Sequence, residues 1–136
     1  MDTFTLKSGW YHMVGDNNTG SKRASEITQQ YLELIDRHIE DVVSGRTAEL
    51  MQLSQIAGQL AVSHKHLTDT VQKTTGHHPC HFYDERIIDK AKQLLTGSDT
   101  PVADIALTLT YDPSNFSKFF KKWTGLTPGD FRKTKK

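Results

Sequence analysis

From residue 25 onward the apolar positions recur every three or four residues, the repeat of a helix with one buried stripe. Ile27, Tyr31, Leu34, Ile35, Ile39, Val42 and Val43 predict a first helix over 25–43, capped by Ser25 and stopped at Ser44-Gly45. Leu53, Ile56, Ala57 and Leu60 predict a short helix, and Leu67 and Val71 the inner face of another. Phe82, Ile87, Ala91, Leu94 and Leu95 mark a longer helix over about 80–96, roughly 25 Å of rod at the standard rise. The short-helix pattern then returns, with Val102, Ile105, Ala106 and Leu109 followed by Phe116 and Phe120. Upstream, residues 1–24 lack this periodicity. The turn formers Gly15-Asp16-Asn17-Asn18-Thr19-Gly20-Ser21 read as a linker, and 4–14 carries a weak strand signal.

The return of the pattern is a repeat. Over 53–82, eight of thirty positions are identical to the residue 49 positions later: Ile56, Ala57, Leu60, Lys73, Thr75, Gly76, Pro79 and Phe82. Unrelated segments would share about two. Each copy has the grammar of two helices around a tight turn. Ser63 and Asp112 stand at equivalent cap positions before the second helix. Val62 and Leu67 flank the first cap as a hydrophobic staple. Gly76 and Gly125 close the second helix, and Pro79 and Pro128 follow. Thr100 and Pro101 open the second copy, with proline expected at the first helical position. The expected organisation is a tail or linker over 1–24, a first helix-turn-helix unit with the linker helix over 25–97, and a second unit with a basic tail over 98–136.

Net charge adds little at +1, but its distribution does. Six acidic residues face two basic ones over 26–50, whereas Lys118, Lys121, Lys122, Arg132, Lys133, Lys135 and Lys136 face Asp130 alone at the end. The chain therefore ends in an electropositive patch. Asp36, Arg37, Glu40 and Asp41 read as a solvated helix face. Cys80 stands alone, so no intrachain disulfide forms. No apolar run is long enough to span a bilayer, and no signal peptide is recognisable, so no membrane role and a cytoplasmic location at the nucleoid are expected. His77, His78, Cys80 and His81 lack the spacing of a zinc site, and His64 and His66, two apart on a helix, cannot converge on one ion. Of that last pair, one reads as a phosphate neighbour and the other as a packed side chain. Phe119 and Trp123 read as core or groove-edge residues. No motif places a nucleophile beside a base, so no metal, cofactor, small-molecule ligand or catalysis is expected.

Ile105-Ala106, the run Asp112-Pro113-Ser114-Asn115-Phe116-Ser117-Lys118-Phe119-Phe120-Lys121-Lys122, and the ending Gly125-Leu126-Thr127-Pro128 with Phe131-Arg132 resemble the signature of AraC/XylS transcription regulators. Arg86, Ala91, Leu94 and Leu95 fit the linker helix of that family, and the resemblance covers about 31–133. It implies an all-α, homeodomain-like fold of two helix-turn-helix units. It also implies double-stranded DNA as the partner, contact with RNA polymerase, and control of transcription rather than enzymatic work. Three positions depart from the family pattern. Leu109-Thr110-Tyr111-Asp112 is one residue shorter than usual and lacks glycine, so the repeat register implies a turn copied from the first unit. Val71 stands where phenylalanine is favoured, and Asp69 occupies a base-facing position often polar or basic.

The resemblance makes 64–75 and 113–124 the reading helices. Lys65, Thr68, Asp69, Ser114, Asn115 and Lys118 are then the base-reading candidates, since side chains near a helix N-terminus reach base edges. Lys118 would donate to guanine and Asp69 accept from cytosine. His64, Gln72, Lys73, Ser117, Lys121 and Lys122 are the phosphate candidates. The two helices are expected about one DNA turn, ~34 Å, apart, or else on bent DNA. The front segment reads as a linker with a stub, which favours the DNA-binding part of a longer regulator over a small autonomous one. Two other readings stay open: a helical protein-interaction adaptor using the acidic first helix, and the DNA-binding part of a repair methyltransferase.

Overall fold

A computed structural model describes residues 19–135. Among them run seven helices and no strand: α1 (Thr19–Val43), α2 (Leu53–Gln59), α3 (His64–Thr75), α4 (Pro79–Gly97), α5 (Val102–Thr108), α6 (Pro113–Thr124) and α7 (Pro128–Thr134). The strand signal over 4–14 falls outside the described residues. The chain divides into two compact units, one holding Met51–Phe82 with α1 as far as Ile35, the other Asp36–Leu50 with Tyr83 onward.

In the first unit Ile27, Tyr31, Leu32 and Ile35 of α1 are buried with Ile56 and Ala57 of α2 and Leu67 and Val71 of α3. Two polar contacts fix this packing. Thr28 Oγ1 and Thr74 Oγ1 are hydrogen-bonded at 2.8 Å, and the buried Tyr31 hydroxyl donates to the Pro79 carbonyl at 2.7 Å. Such bonds satisfy groups that burial would otherwise leave costly.

The second unit uses larger side chains. Ile105, Ala106, Leu109, Phe116 and Phe120 are buried with Ile87, Ile88, Ala91 and Leu95 of α4. Phe120 meets Phe116 at 5.9 Å and Phe131 of α7 at 5.4 Å between ring centroids. Arg132 then ties α7 to the joint between α4 and α5. Its Nε donates to Leu95 O at 2.9 Å, and its Nη2 to Ser98 O at 3.3 Å and Thr100 O at 2.7 Å. The α4 last turn has no basic residue of its own, so this guanidinium supplies the positive charge that a helix C-terminus favours.

Both turns take the same path, as the repeat implied. The Val62 amide donates to Ala57 O at 3.0 Å and the Tyr111 amide to Ala106 O at 2.8 Å. Between them, Ala61 at φ 60 and Thr110 at φ 63 occupy the left-handed region. That region is costly for a residue with a Cβ and most so for a β-branched one.

Four expectations need correction. Helix α1 begins at Thr19, so Ser25 is not its cap but an internal residue at 0% exposure. The helix formers Lys22-Arg23-Ala24 and burial of the Ser25 face carry the helix past a residue that would cap an exposed end, and into the expected linker. Asp36 and Glu40 are not merely solvated. Asp36 binds Arg86 at 2.8 Å, with the Arg86 side chain only 15% exposed, and Glu40 pairs with Lys90. Pro101 is the cap of α5 rather than its first residue. Finally, His66 is exposed, not packed.

Two substitutions test this packing. Ala106→Leu, at a site with 0% exposure, should lower unfolding stability by about 1–3 kcal/mol through overpacking, read as a lower urea midpoint. Thr110→Gly should raise stability by about 1 kcal/mol by removing the strain at φ 63, and Ala61→Gly by less, read by the same titration.

Candidate nucleic-acid interface

Helices α3 and α6 have twelve residues each and matching ends. The Ser63 hydroxyl accepts the His66 amide at 3.0 Å, and the Asp112 carboxylate accepts those of Ser114 and Asn115 at 3.1 and 3.2 Å. Gly76 at φ 83 and Gly125 at φ 85 terminate the two helices. These caps satisfy terminal groups and hold each helix to a defined length.

One face of each is sealed. Leu67, Val71, Phe116 and Phe120 are all at 0% exposure, with Thr70 also buried. The opposite faces hold the sequence candidates. His64, Lys65, Asp69, Gln72 and Lys73 are exposed on α3, with Thr68 half-buried. Ser114, Asn115, Lys118, Lys121 and Lys122 are exposed on α6, with Ser117 half-buried. Within α3 the structure brings Lys65 and Asp69 together, with Nζ to Oδ2 at 3.0 Å. Lys73 on α3, and Lys121 and Lys122 on α6, lie in the last turn, where the helix dipole favours cations.

Several roles escaped sequence reasoning. Arg132 belongs by sequence to the electropositive tail, yet its guanidinium is spent on three backbone carbonyls. Lys135 lies over the Phe131 ring at 5.7 Å. His78 caps α4, its Nδ1 accepting the Cys80 amide at 3.0 Å, and the His77 and His81 rings stack at 4.3 Å. Among the described residues no group of three or more His, Cys, Asp or Glu side chains is placed to hold a metal ion. Tyr111, in the second turn, packs against Phe119 at 5.3 Å. Burial, with the Asp84 charge adding to it, pushes its phenol up to about 12, so it stays neutral. The signal for these roles was thin: a basic tail does not reveal which cation folds back.

Known proteins share this arrangement. The chain is 32% identical over 137 residues to the uncharacterized HTH-type transcriptional regulator YtdP of Bacillus subtilis, covering 100% of this chain and 18% of that protein. Over 43 residues it is 49% identical to the ornithine utilization regulator of Pseudomonas aeruginosa, 31% of this chain and 13% of that protein. It thus spans less than a fifth of the length of either relative. Among solved structures, the C-terminal domain of AraT, a response regulator from Geobacillus stearothermophilus, superposes with TM-score 0.69 at 27% identity, over 79% of this chain and 84% of that one. The DNA-binding domain of AdpA, solved in complex with a target DNA, shares the fold with TM-score 0.62 at 19% identity, over 82% and 90% of the two chains. The helix-turn-helix domain family matches residues 56–134, which takes in both capped helices and the α4 rod, and the chain belongs to that family in its AraC type.

Proposed function

We propose that this chain is the DNA-binding part of a transcription regulator, and that it reads a specific double-stranded sequence with α3 and α6. The observation that carries the proposal is the duplicated construction. Two capped twelve-residue helices each have a sealed apolar face backed by an exposed polar one. An exposed helix held rigidly by one edge is the shape the major groove accepts. In this reading Lys65, Thr68, Asp69, Ser114, Asn115 and Lys118 face base edges, while His64, Gln72, Lys73, Ser117, Lys121 and Lys122 hold phosphates. The DNA-binding domain of AdpA, similar in fold and solved in complex with a target DNA, supports DNA as the partner.

Contact with RNA polymerase, a cytoplasmic location at the nucleoid and the absence of enzymatic work belong to the same proposal and rest on the family. Among the described residues no helix is long and apolar enough to cross a membrane. A helical adaptor is disfavoured, because the acidic helix it would use has much of its charge engaged within the chain. Asp36 binds Arg86, Glu40 binds Lys90, and Asp41 binds Arg46 at 2.9 Å.

Selection from a random duplex library, followed by gel-shift titration with competitor DNA, tests the proposal. A recurrent sequence bound far more tightly than random DNA is expected, and equal affinity for every duplex would sink it. The helices should also contribute unequally. Helix α6 with its cap carries Lys118, Lys121 and Lys122 against Asp112, whereas α3 carries Lys65 and Lys73 against Asp69. Counterion release scales with the cations that reach phosphates, so the second unit should supply more of the affinity. Lys121→Ala should weaken binding to selected and random DNA alike and flatten the slope of log K against log salt by about one. An unchanged slope would place Lys121 off the DNA.

A further inference from the structure

The repeat makes positions 65 and 114 equivalent, and likewise 69 and 118. Their chemistry differs. Helix α6 presents Ser114 and Lys118, a hydroxyl and a cation, both exposed. Helix α3 presents Lys65 and Asp69, joined as an ion pair at 3.0 Å with side chains 84% and 51% exposed. A pair this exposed contributes little to folding. One helical turn apart in the N-terminal half of α3, it is on the part of the helix that would enter a groove.

We propose that Lys65 and Asp69 act as one unit that reads a single G·C base pair. The inference rests on the DNA-reading function proposed above. Across the major groove, G·C presents two neighbouring acceptors, guanine N7 and O6, and then the cytosine N4 donor. A·T presents acceptor, donor, acceptor. An ammonium beside a carboxylate matches the first order, with Lys65 donating to the guanine edge and Asp69 accepting from cytosine N4. In the same pose A·T fails at both ends: the ammonium placed for guanine O6 meets the adenine N6 donor, and the carboxylate placed for cytosine N4 meets the thymine O4 acceptor. The ion pair also offsets the repulsion that a lone carboxylate would meet from nearby phosphates. Asp69 therefore selects a base pair at little cost in affinity, and α6, with Lys118 at the matching position, reads a different one.

The test uses the 136-residue chain and duplexes selected by it from a random library. Affinities are measured for the selected site and for all its single-base-pair variants. Wild type should show one position where replacing G·C by A·T lowers affinity by roughly 5- to 150-fold, the range of a good paired contact. Asp69→Asn should abolish discrimination there and leave the other positions unchanged. It should also raise affinity for random DNA by releasing Lys65. The exchange variant, Lys65→Ser with Asp69→Lys, copies the α6 pair onto α3. At that position it should acquire the base preference of the site that loses discrimination in Lys118→Ala. Both sites of change are exposed, so thermal unfolding should match wild type.

If wild type selects a sequence but Asp69→Asn alters no position, or alters one that is A·T, the paired reader is wrong while DNA reading by the chain stands. A wild type that selects no sequence would overturn the functional assignment itself and the reader with it.

Discussion

The amide of Val62 reaches back to Ala57 O, and that of Tyr111 to Ala106 O, each across a turn with its middle residue in the left-handed region. The placement of α3 against α2, and of α6 against α5, depends on this bond. It works only because the residue beneath is an alanine, at 1% exposure in the first unit and 0% in the second. A larger side chain would push the helices apart, and the capped N-terminus of α3 or α6 would aim elsewhere. The exposed polar faces of α3 and α6 are thus set from inside, by one small side chain and one strained turn residue in each copy.

The helices and their order were legible because several local signals agreed. The repeat placed Ser63, Asp112, Gly76 and Gly125 at the ends of α3 and α6, where the structure has them. The inner stripe Leu67, Val71, Phe116 and Phe120 left the outward candidates by elimination, and those lie exposed or half-buried. The start of α1 was misread because Ser25 has the chemistry of a cap, and its burial against the core could not be seen from its neighbours in sequence. Tertiary context overrides a local preference worth about 1 kcal/mol.

Charge was the least legible property. Counting cations produced a basic tail and an acidic first helix, but a count does not say which charges are used up in folding. Arg86 and Lys90 neutralise Asp36 and Glu40, although 50 positions separate each partner from the other. Arg132 turns inward, and Lys135 leans on Phe131. The cations left facing water on α6 are Lys118, Lys121 and Lys122. The field around α6 is accordingly narrower and more local than the composition suggests.

Arg132 has one more consequence. Its three acceptors are the carbonyls of Leu95, Ser98 and Thr100, all main-chain atoms. A guanidinium fork that grips only backbone is indifferent to the side chains along the segment it holds. The joint between α4 and α5 can therefore drift in sequence over evolutionary time while its shape persists. The constraint is concentrated in a single arginine, which lysine, without the planar fork, would replace poorly. Divergence of this joint among relatives would accordingly say little about divergence of its geometry.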